Sequence, residues 1–537
     1  MNIVELLDRA VRSNPAALAF IDGHAGHERQ VSYAAFETAS RRLATLFAGA
    51  GLQPGDGVAV MLPMSADLYL VIVAAWRVGL VPVFIDPEGG EEHFAHCVSR
   101  YPIKAFVGTP AVCLLRYTSH ALKAIQTLFV SGVFFPGARS LRAAHSLPPY
   151  TKTCDCTPGT PAMLTFTSGT TGRPKGIVRT HGLLQAMHSV LAAHIEPTVG
   201  EVVLATMPVF TLTYLACGAT SLIPDVDLRH PGKIDPRSLA RQIAHWNVAS
   251  SVASPALLER LADDCLMHEL RLDTLRKVFV GGAPVFPRLL EKLGRVAHKA
   301  EVCVLYGSTE AEPMALISRA DVSSDDVGRM LQGRGLLVGK PVPEIKLRVL
   351  HDRWGCARLL GNYHALEQET LRPGESGEIV VTGRHVAQGY LDREDDRNIK
   401  FRVGSEIWHR TGDAGWLDEQ GRLWLLGRCA TRIDDAYGTL YPYTVEAALS
   451  SHPAIVHSAL LHRTGERVLV LEMQRGKQPD VPALLARLSW ANIGAIVQVK
   501  EMPMDSRHNA KVVYPRLHSL LDEGQWLQRI DTPLVKK

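Results

Sequence analysis

Between residues 57 and 108, short apolar runs alternate with longer segments of helical spacing. Val58–Leu62, Val81–Ile85 and Ala105–Gly108 read as strands that are apolar on both faces. Such runs suit a parallel sheet covered by helices on either side. This alternation predicts an α/β layer structure and excludes all-helical and all-β architectures. An N-terminal helix carrying Val4, Leu6, Leu7 and Val11 comes before it, then a strand at Leu18–Ile21 and a helix over Ala34–Ala48. Further strands are predicted at Val202–Thr206, Ala249–Ala253, 276–283 and Val302–Tyr306, with helices near 182–195, 236–246 and 255–264.

The texture then changes twice. Residues 137–160, rich in Pro, Ser, Thr and Gly, read as a long surface connection. From about residue 331, short β-rich segments separated by Gly-Pro turns predict a small barrel-like unit. Beyond Gly427-Arg428 the remaining chain has the size of a small α+β domain. The expected organisation is a large domain over 1–428 and a smaller, mobile C-terminal domain over 429–537. The run Asp392–Arg397 reads as a solvated loop or helix start.

At 537 residues the chain is long enough for more than one core. A formal net charge of only +4 gives little bulk support for nucleic acid or an anionic membrane as a partner. The most apolar stretch, Leu68–Ile85, is interrupted by Arg77 and Pro82, so it reads as a buried helix and strand, not a membrane span. Nine scattered cysteines, mostly in apolar runs, suit reduced thiols and a cytoplasmic location. Cys154-Asp155-Cys156 lacks the spacing and the second pair of a zinc knuckle.

The most specific stretch is 163–182. A short apolar strand, Met163–Thr167, runs into Ser168, Gly169, Thr170, Thr171 and Gly172, then Arg173, Pro174, Lys175 and Gly176. Glycines let successive backbone N–H groups converge on an anion, hydroxyls add donors, and a lysine adds a mobile charge. Pro174 before Lys175 and Gly176 after it rule out the common P-loop spacing. Taken alone, a Gly/Ser/Thr loop is as readily a polar surface turn. A second stretch, Leu305-Tyr306-Gly307-Ser308-Thr309-Glu310, follows a strand and offers a hydroxyl and a carboxylate at its C-terminal end, where open α/β sheets bind ligands. Glu310 suits Mg²⁺, a hard cation that shares its oxygens with phosphates, and Thr309 suits phosphate. A third, Trp408–Asp413, ends in a carboxylate able to accept from both hydroxyls of a ribose.

Together these stretches resemble the signatures of the AMP-forming adenylating enzymes: acyl-CoA synthetases, peptide-synthetase adenylation domains and luciferases. The resemblance implies ATP and Mg²⁺ as cofactors. It places Thr167, Ser168, Gly169, Thr170, Thr171, Gly172 and Lys175 on the phosphates, and Gly281, Gly282, Ala283, Tyr306, Gly307 and Ser308 around the adenine. It places Asp413 and Arg428 at the ribose, Glu310 on the metal with Thr309 beside it, and Lys511 between carboxylate and α-phosphate. Three departures stand out: Arg507-His508-Asn509-Ala510 before Lys511, Ala430 at the usual Asp or Lys hinge, and Thr211 where many acyl-CoA synthetases carry a gating histidine.

Those departures, with Glu310–Pro313, Ser254–Leu258 and Gly438–Tyr441, resemble the β-lactone synthetases of long-chain olefin biosynthesis. That branch implies adenylation of a β-hydroxy fatty acid followed by attack of its own hydroxyl, so no thiol acceptor is needed. An acyl-CoA ligase, an acyl-AMP ligase loading a carrier protein, and a silent nucleotide-binding protein remain as alternatives. The small-molecule acid is the expected partner. CoA, a carrier or neighbouring pathway enzymes stay open, and no nucleic acid is expected. The acyl pocket wall is expected around Val209–Leu215, Val280–Pro284 and Tyr306–Pro313, largely apolar and without a buried acid for an α-amino group.

Overall fold

A computed structural model describes residues 1–23, 28–86, 89–168, 174–505 and 511–532. The structure is α/β, with two large sheets and two smaller ones. The first has seven strands, in the order Arg139–Ser140, Thr127–Val130, Ile103–Gly108, Gly57–Met61, Val81–Phe84, Pro161–Ser168 and Pro174–Thr180. Every neighbour is parallel except the last pair. The strands predicted from the apolar alternation thus lie side by side, and the strand leading to the Gly/Ser/Thr loop joins them through Val83–Leu164 pairing.

The second sheet has fourteen strands. From Leu18–Asp22 through Thr220–Ile223, Val202–Ala205, Ser250–Ala253 and Lys277–Gly281 to Glu301–Ser308, all pairs are parallel. Ala311–Ser318 then turns back antiparallel, and Leu336–Pro341, Leu423–Arg428, Glu406–Leu417, Gly377–Gly383 and Ile345–Leu350 continue that way. The β-rich unit expected after residue 331 is therefore continuous with the parallel sheet through hydrogen-bonded edges.

The helix Ala66–Arg77 is buried along ten of its twelve residues. A helix apolar on all sides must be enclosed, and Leu68, Val71, Ile72 and Val73 share one core with Phe20, Phe36 and Phe47. Its buried Arg77 pairs with Asp8 at 2.7 Å and donates to the Ser40 hydroxyl. Among the described residues no helix is long and apolar enough to cross a membrane. All nine cysteines are free.

The connection at 137–160 holds more structure than its composition suggests. Arg139–Ser140 extends the first sheet and a 3₁₀ turn, Leu141–Ser146, follows it, capped by the Ser140 hydroxyl. Tyr150 exchanges hydrogen bonds with Arg41, and Thr45 donates to the Pro148 carbonyl. The helix Tyr33–Ala48 thus supplies partners that a free loop would take from water. Asp392–Arg397 holds a one-turn helix, Arg393–Asp396. Near the C-terminus, Ile455–Arg463, Glu466–Met473, Ala495–Val499 and Gln528–Asp531 form a four-stranded sheet packed by the helices Pro442–Leu449, Val481–Arg487 and Tyr514–Asp522.

Candidate active site

The Gly/Ser/Thr signature sits at a hairpin. Pro161–Ser168 is answered by an antiparallel strand, Pro174–Thr180, before the helix His181–Ile195 begins. Pro174, Lys175 and Gly176 are poor strand formers, so the sequence did not signal this strand. Thr167 pairs with Lys175 and Ser168 with Pro174 through the backbone. Gly169, Thr170, Thr171 and Gly172 lie outside the described residues, as do Arg173 and Arg507–Ala510.

Across the cleft, the strands Lys277–Gly281 and Glu301–Ser308 run parallel, and their ends face one pocket. Gly281 pairs with Leu305, and a Cβ there would meet the Leu305 carbonyl at 2.7 Å, so only glycine fits. The pocket is lined by Gly282, Ala283, Tyr306, Gly307, Asp413, Arg428, Tyr443 and Lys511. Seven of these, all but Tyr443, come from stretches far apart in the chain that the sequence reading singles out, and the fold brings them to one place. The long strand Glu406–Leu417 delivers Asp413. Two residues fix it there. Buried Arg410 grips buried Glu378 through two bonds of 2.8 Å and donates to three backbone carbonyls. Gly412 adopts φ 70°, and a Cβ there would come within 2.8 Å of the Trp354 ring.

Asp413 accepts a hydrogen bond from the Tyr306 hydroxyl at 2.8 Å and faces Arg428 Nε at 3.2 Å. The Asp413 charge holds the Arg428 guanidinium more firmly protonated than usual. Burial and the same carboxylate raise the Tyr306 phenol well above its ordinary range. The Lys511 amide donates to the Asp505 carboxylate and the Asp505 amide donates to the Lys511 carbonyl, each at 2.8 Å. Burial, then the like charge of Arg428, lower the affinity of the Lys511 amine for a proton, against the pull of Asp505, Asp413 and Glu310.

Glu310 occupies the turn between Glu301–Ser308 and Ala311–Ser318. Burial pushes its carboxyl upward, but its neighbours, among them the Tyr390 hydroxyl and the Lys400 ammonium, bring it below the ordinary value, so it is a carboxylate at neutral pH. Tyr390 donates to it at 2.7 Å, and the Lys175 ammonium lies 5.7 Å from the Tyr390 ring and 3.9 Å from Asp395. Tyr390 thus joins Lys175 to Glu310. Burial drives the Lys400 ammonium down to about 8. Burial and Lys400 drive His409 to about 3, which keeps its imidazole neutral. Thr309 offers its carbonyl to Arg179, and Ser308 accepts from the Glu310 amide. Arg179 Nε and His409 Nδ1 are buried without a protein partner.

The sequence reading missed Tyr390, Lys400, Arg179 and Glu312. Arg179 and Glu312 lie inside the stretches 163–182 and 310–313 without an assigned role there; Tyr390 and Lys400 carry no spacing signal, and the Val386–Ala311 and Tyr390–Ile177 bridges bring their segment in. Burial raises the Glu312 carboxyl to about 7, despite Arg179 and Lys511. The donor set suits a nucleoside triphosphate: a sugar-facing carboxylate, a buried ionised glutamate and several cations. Among the described residues no cluster of three or more His, Cys, Asp or Glu could hold a metal alone. A Mg²⁺ at Glu310 would complete its shell with phosphate oxygens and water.

A second cavity opens beside the helix Pro208–Ala216. Val209, Leu212, Thr213 and Ala216 face Leu6, Trp76 and His188 across it, and its surface is almost wholly apolar. Of the expected acyl wall, Val209, Leu212 and Thr213 line this cavity, whereas Gly282–Pro284, Tyr306 and Gly307 line the first pocket instead. The Thr211 side chain is buried and donates to the Ala205 carbonyl.

The AMP-binding enzyme family matches residues 7–391. The chain belongs to that family. As an AMP-binding enzyme it is 30% identical to the olefin β-lactone synthetase of Xanthomonas campestris pv. campestris, over 95% of this chain and 96% of that protein. It is 26% identical to the 2-succinylbenzoate–CoA ligase of Bacillus velezensis over 80% of each. The amide bond synthetase McbA of Marinactinospora thermotolerans shares its fold with TM-score 0.77 at 21% identity, over 96% of this chain and 99% of that one. So does the O-succinylbenzoate coenzyme A synthetase of Bacillus subtilis with ATP and a magnesium ion, at TM-score 0.76 and 20% identity, over 96% and 99%. This AMP-binding enzyme is an AMP-forming acid ligase.

Proposed function

We propose that this AMP-binding enzyme activates a long-chain β-hydroxy acid with ATP and closes it to a β-lactone. The observation that carries the reading is the meeting of Lys511, Asp413, Arg428 and Tyr306 in one pocket. Tyr306 and Gly281–Ala283 would hold the adenine, and Asp413, braced by Arg428, the ribose hydroxyls. Thr167, Ser168, Gly169, Thr170, Thr171, Gly172, Lys175 and Thr309 would hold the phosphates. Glu310 would hold Mg²⁺, which neutralises phosphate charge. Residues 1–428 form the large domain in this account, and 429–537 a lid that brings Lys511.

In the first step a carboxylate oxygen attacks the α-phosphorus, the bond to the β-phosphate oxygen breaks, and pyrophosphate leaves. Two anions meet there, so the Lys511 charge counts most in the transition state. In the second step the substrate's β-hydroxyl oxygen attacks the acyl carbonyl carbon, the acyl–phosphate C–O bond breaks, and AMP leaves. We assign Glu312 as the base that takes the hydroxyl proton: its side chain packs against Gly307 of the pocket wall, between the charges of Arg179 and Lys511, and burial raises its carboxyl to about 7. The apolar cavity beside Pro208–Ala216 would take an alkyl chain.

The relatives named for β-lactone formation span nearly the whole chain, and Thr211 at the position of the gating histidine supports an internal nucleophile. The relatives named as CoA ligases support a second reading, in which CoA or a carrier protein accepts the acyl group. Its free thiols suit a cytoplasmic enzyme under either reading. Retention of Lys175, Glu310, Asp413 and Lys511 argues against a silent nucleotide-binding protein. Pyrophosphate release with ATP and a panel of carboxylic acids tests adenylation: release with long-chain acids is expected, and no release with any acid would overturn it.

A further inference from the structure

The net charge of +4 conceals a local asymmetry. From His93 to Cys154 the chain carries seven lysines and arginines and not one aspartate or glutamate. The same stretch holds five of the sixteen large apolar side chains exposed among the described residues: Leu114, Leu115, Tyr117, Val133 and Phe134. Val133 is 67% and Phe134 79% exposed. Isolated apolar residues on a surface need no explanation, but a cluster within a cationic field does.

The fold brings them together. The strands Ile103–Gly108 and Thr127–Val130 are parallel neighbours, and the Ser131 amide bonds the Gly108 carbonyl. The turns that follow them, 110–117 and 131–138, therefore leave the sheet side by side. Tyr117 and Phe135 confirm it, with ring centroids 6.3 Å apart. Arg116 and Lys123 flank the first turn, and Arg139 and Arg142 follow the second. Three acids reach the stretch from other elements, and all are engaged: Glu91 accepts from the His120 amide, Asp67 pairs with Arg29 and the Ser131 hydroxyl, and Asp392 pairs with Arg100.

We propose that this surface docks the enzyme on an anionic lipid bilayer, with Val133 and Phe134 inserted at the headgroup level and the cations against lipid phosphates. Apolar insertion plus electrostatic attraction is the combination that gives reversible interfacial binding. Charge complementarity favours lipid: the acids near the patch are already paired, which leaves Arg116, Lys123 and Arg139 around an apolar centre to meet a continuous anionic surface. The placement also serves a lipid-like substrate. The strands Ile103–Gly108, Gly57–Met61, Val81–Phe84 and Pro161–Ser168 are mutually parallel, so their C-terminal ends share one edge. The two turns of the patch leave that edge three and four strands, about 14 and 19 Å, from the strand ending at Ser168. Docking stands independently of which acid is activated.

The test is sedimentation of the full chain with vesicles of phosphatidylcholine alone or with about a quarter phosphatidylglycerol. Binding to the anionic vesicles, weakened by salt, is expected. Val133→Glu with Phe134→Glu should cut partitioning at least about tenfold, and Arg116→Glu with Lys123→Glu should cut it on anionic vesicles only. Both variants should retain wild-type pyrophosphate release with a short soluble acid, which shows that they are folded. No wild-type binding, or equal binding by the variants, overturns the proposal. A concentration-dependent dimer lost in the Val133/Phe134 variant, without lipid binding, assigns the patch to a second copy and likewise overturns it.

Discussion

Glu446 offers the sharpest quantitative test of how the C-terminal region is held. It is buried on the helix Pro442–Leu449, which also carries Tyr443 into the nucleotide pocket. The Tyr514 hydroxyl donates to it at 3.0 Å from the helix that follows Lys511. Burial lifts its carboxyl from 4.5 to about 8, only partly opposed by that bond. The folded state therefore keeps the acid neutral, while the unfolded chain ionises it above its ordinary value. Folded protein binds more protons in between, so stability is full below pH 4.5, falls through the interval and levels off above about 8. A gap of three to four pH units sets a ceiling of about 4–5 kcal/mol. Glu446→Gln removes the titration but keeps an acceptor for Tyr514. Thermal unfolding of both proteins from pH 5 to pH 9 should show the variant gaining on the wild type as pH rises. A difference that stays constant with pH would refute the assignment of Glu446 as a buried neutral acid.

Lys511→Ala should slow acyl-adenylate formation about 100- to 1000-fold, with ATP affinity changed much less; single-turnover pyrophosphate release measures it, and an unchanged rate would place Lys511 outside the chemistry. Glu312→Gln should leave adenylation largely intact and slow consumption of the acyl-adenylate about 100-fold. In the wild type that second step should rise with pH through about 7, as Glu312 loses its proton, and the rise should be absent from the variant. Leu212→Trp should fill the apolar cavity and shift the preferred acid to shorter chains, read from kcat/KM across a chain-length series.

The parallel core was legible because its strands are apolar on both faces and bounded by turn residues. Val58–Leu62, Val81–Ile85 and Ala105–Gly108 appear in the structure within a residue or so of where their composition puts them. The strand Pro174–Thr180 was hidden because its first three residues disfavour β structure, and its pairing with Pro161–Ser168 is a long-range fact. The same holds for the site. Tyr306, Asp413 and Arg428 announced themselves through contiguous motifs. Tyr390 and Lys400 did not, since their roles arise from a segment after the main strands folding back onto Glu310. Arg410 lay in plain view inside a motif, yet its work is to grip Glu378 behind the strand and hold Asp413 in place. Composition likewise averaged away the acid-free stretch 93–154, whose exposed apolar residues only the burial pattern singles out.

The central claim concerns the fate of the acyl-adenylate. The full chain should be incubated with ATP, Mg²⁺ and a long-chain β-hydroxy acid, without CoA, and the products examined by mass spectrometry. The account predicts AMP, pyrophosphate and a product lighter than the acid by one water, the β-lactone. Release of acyl product only when CoA or a carrier protein is added would contradict it.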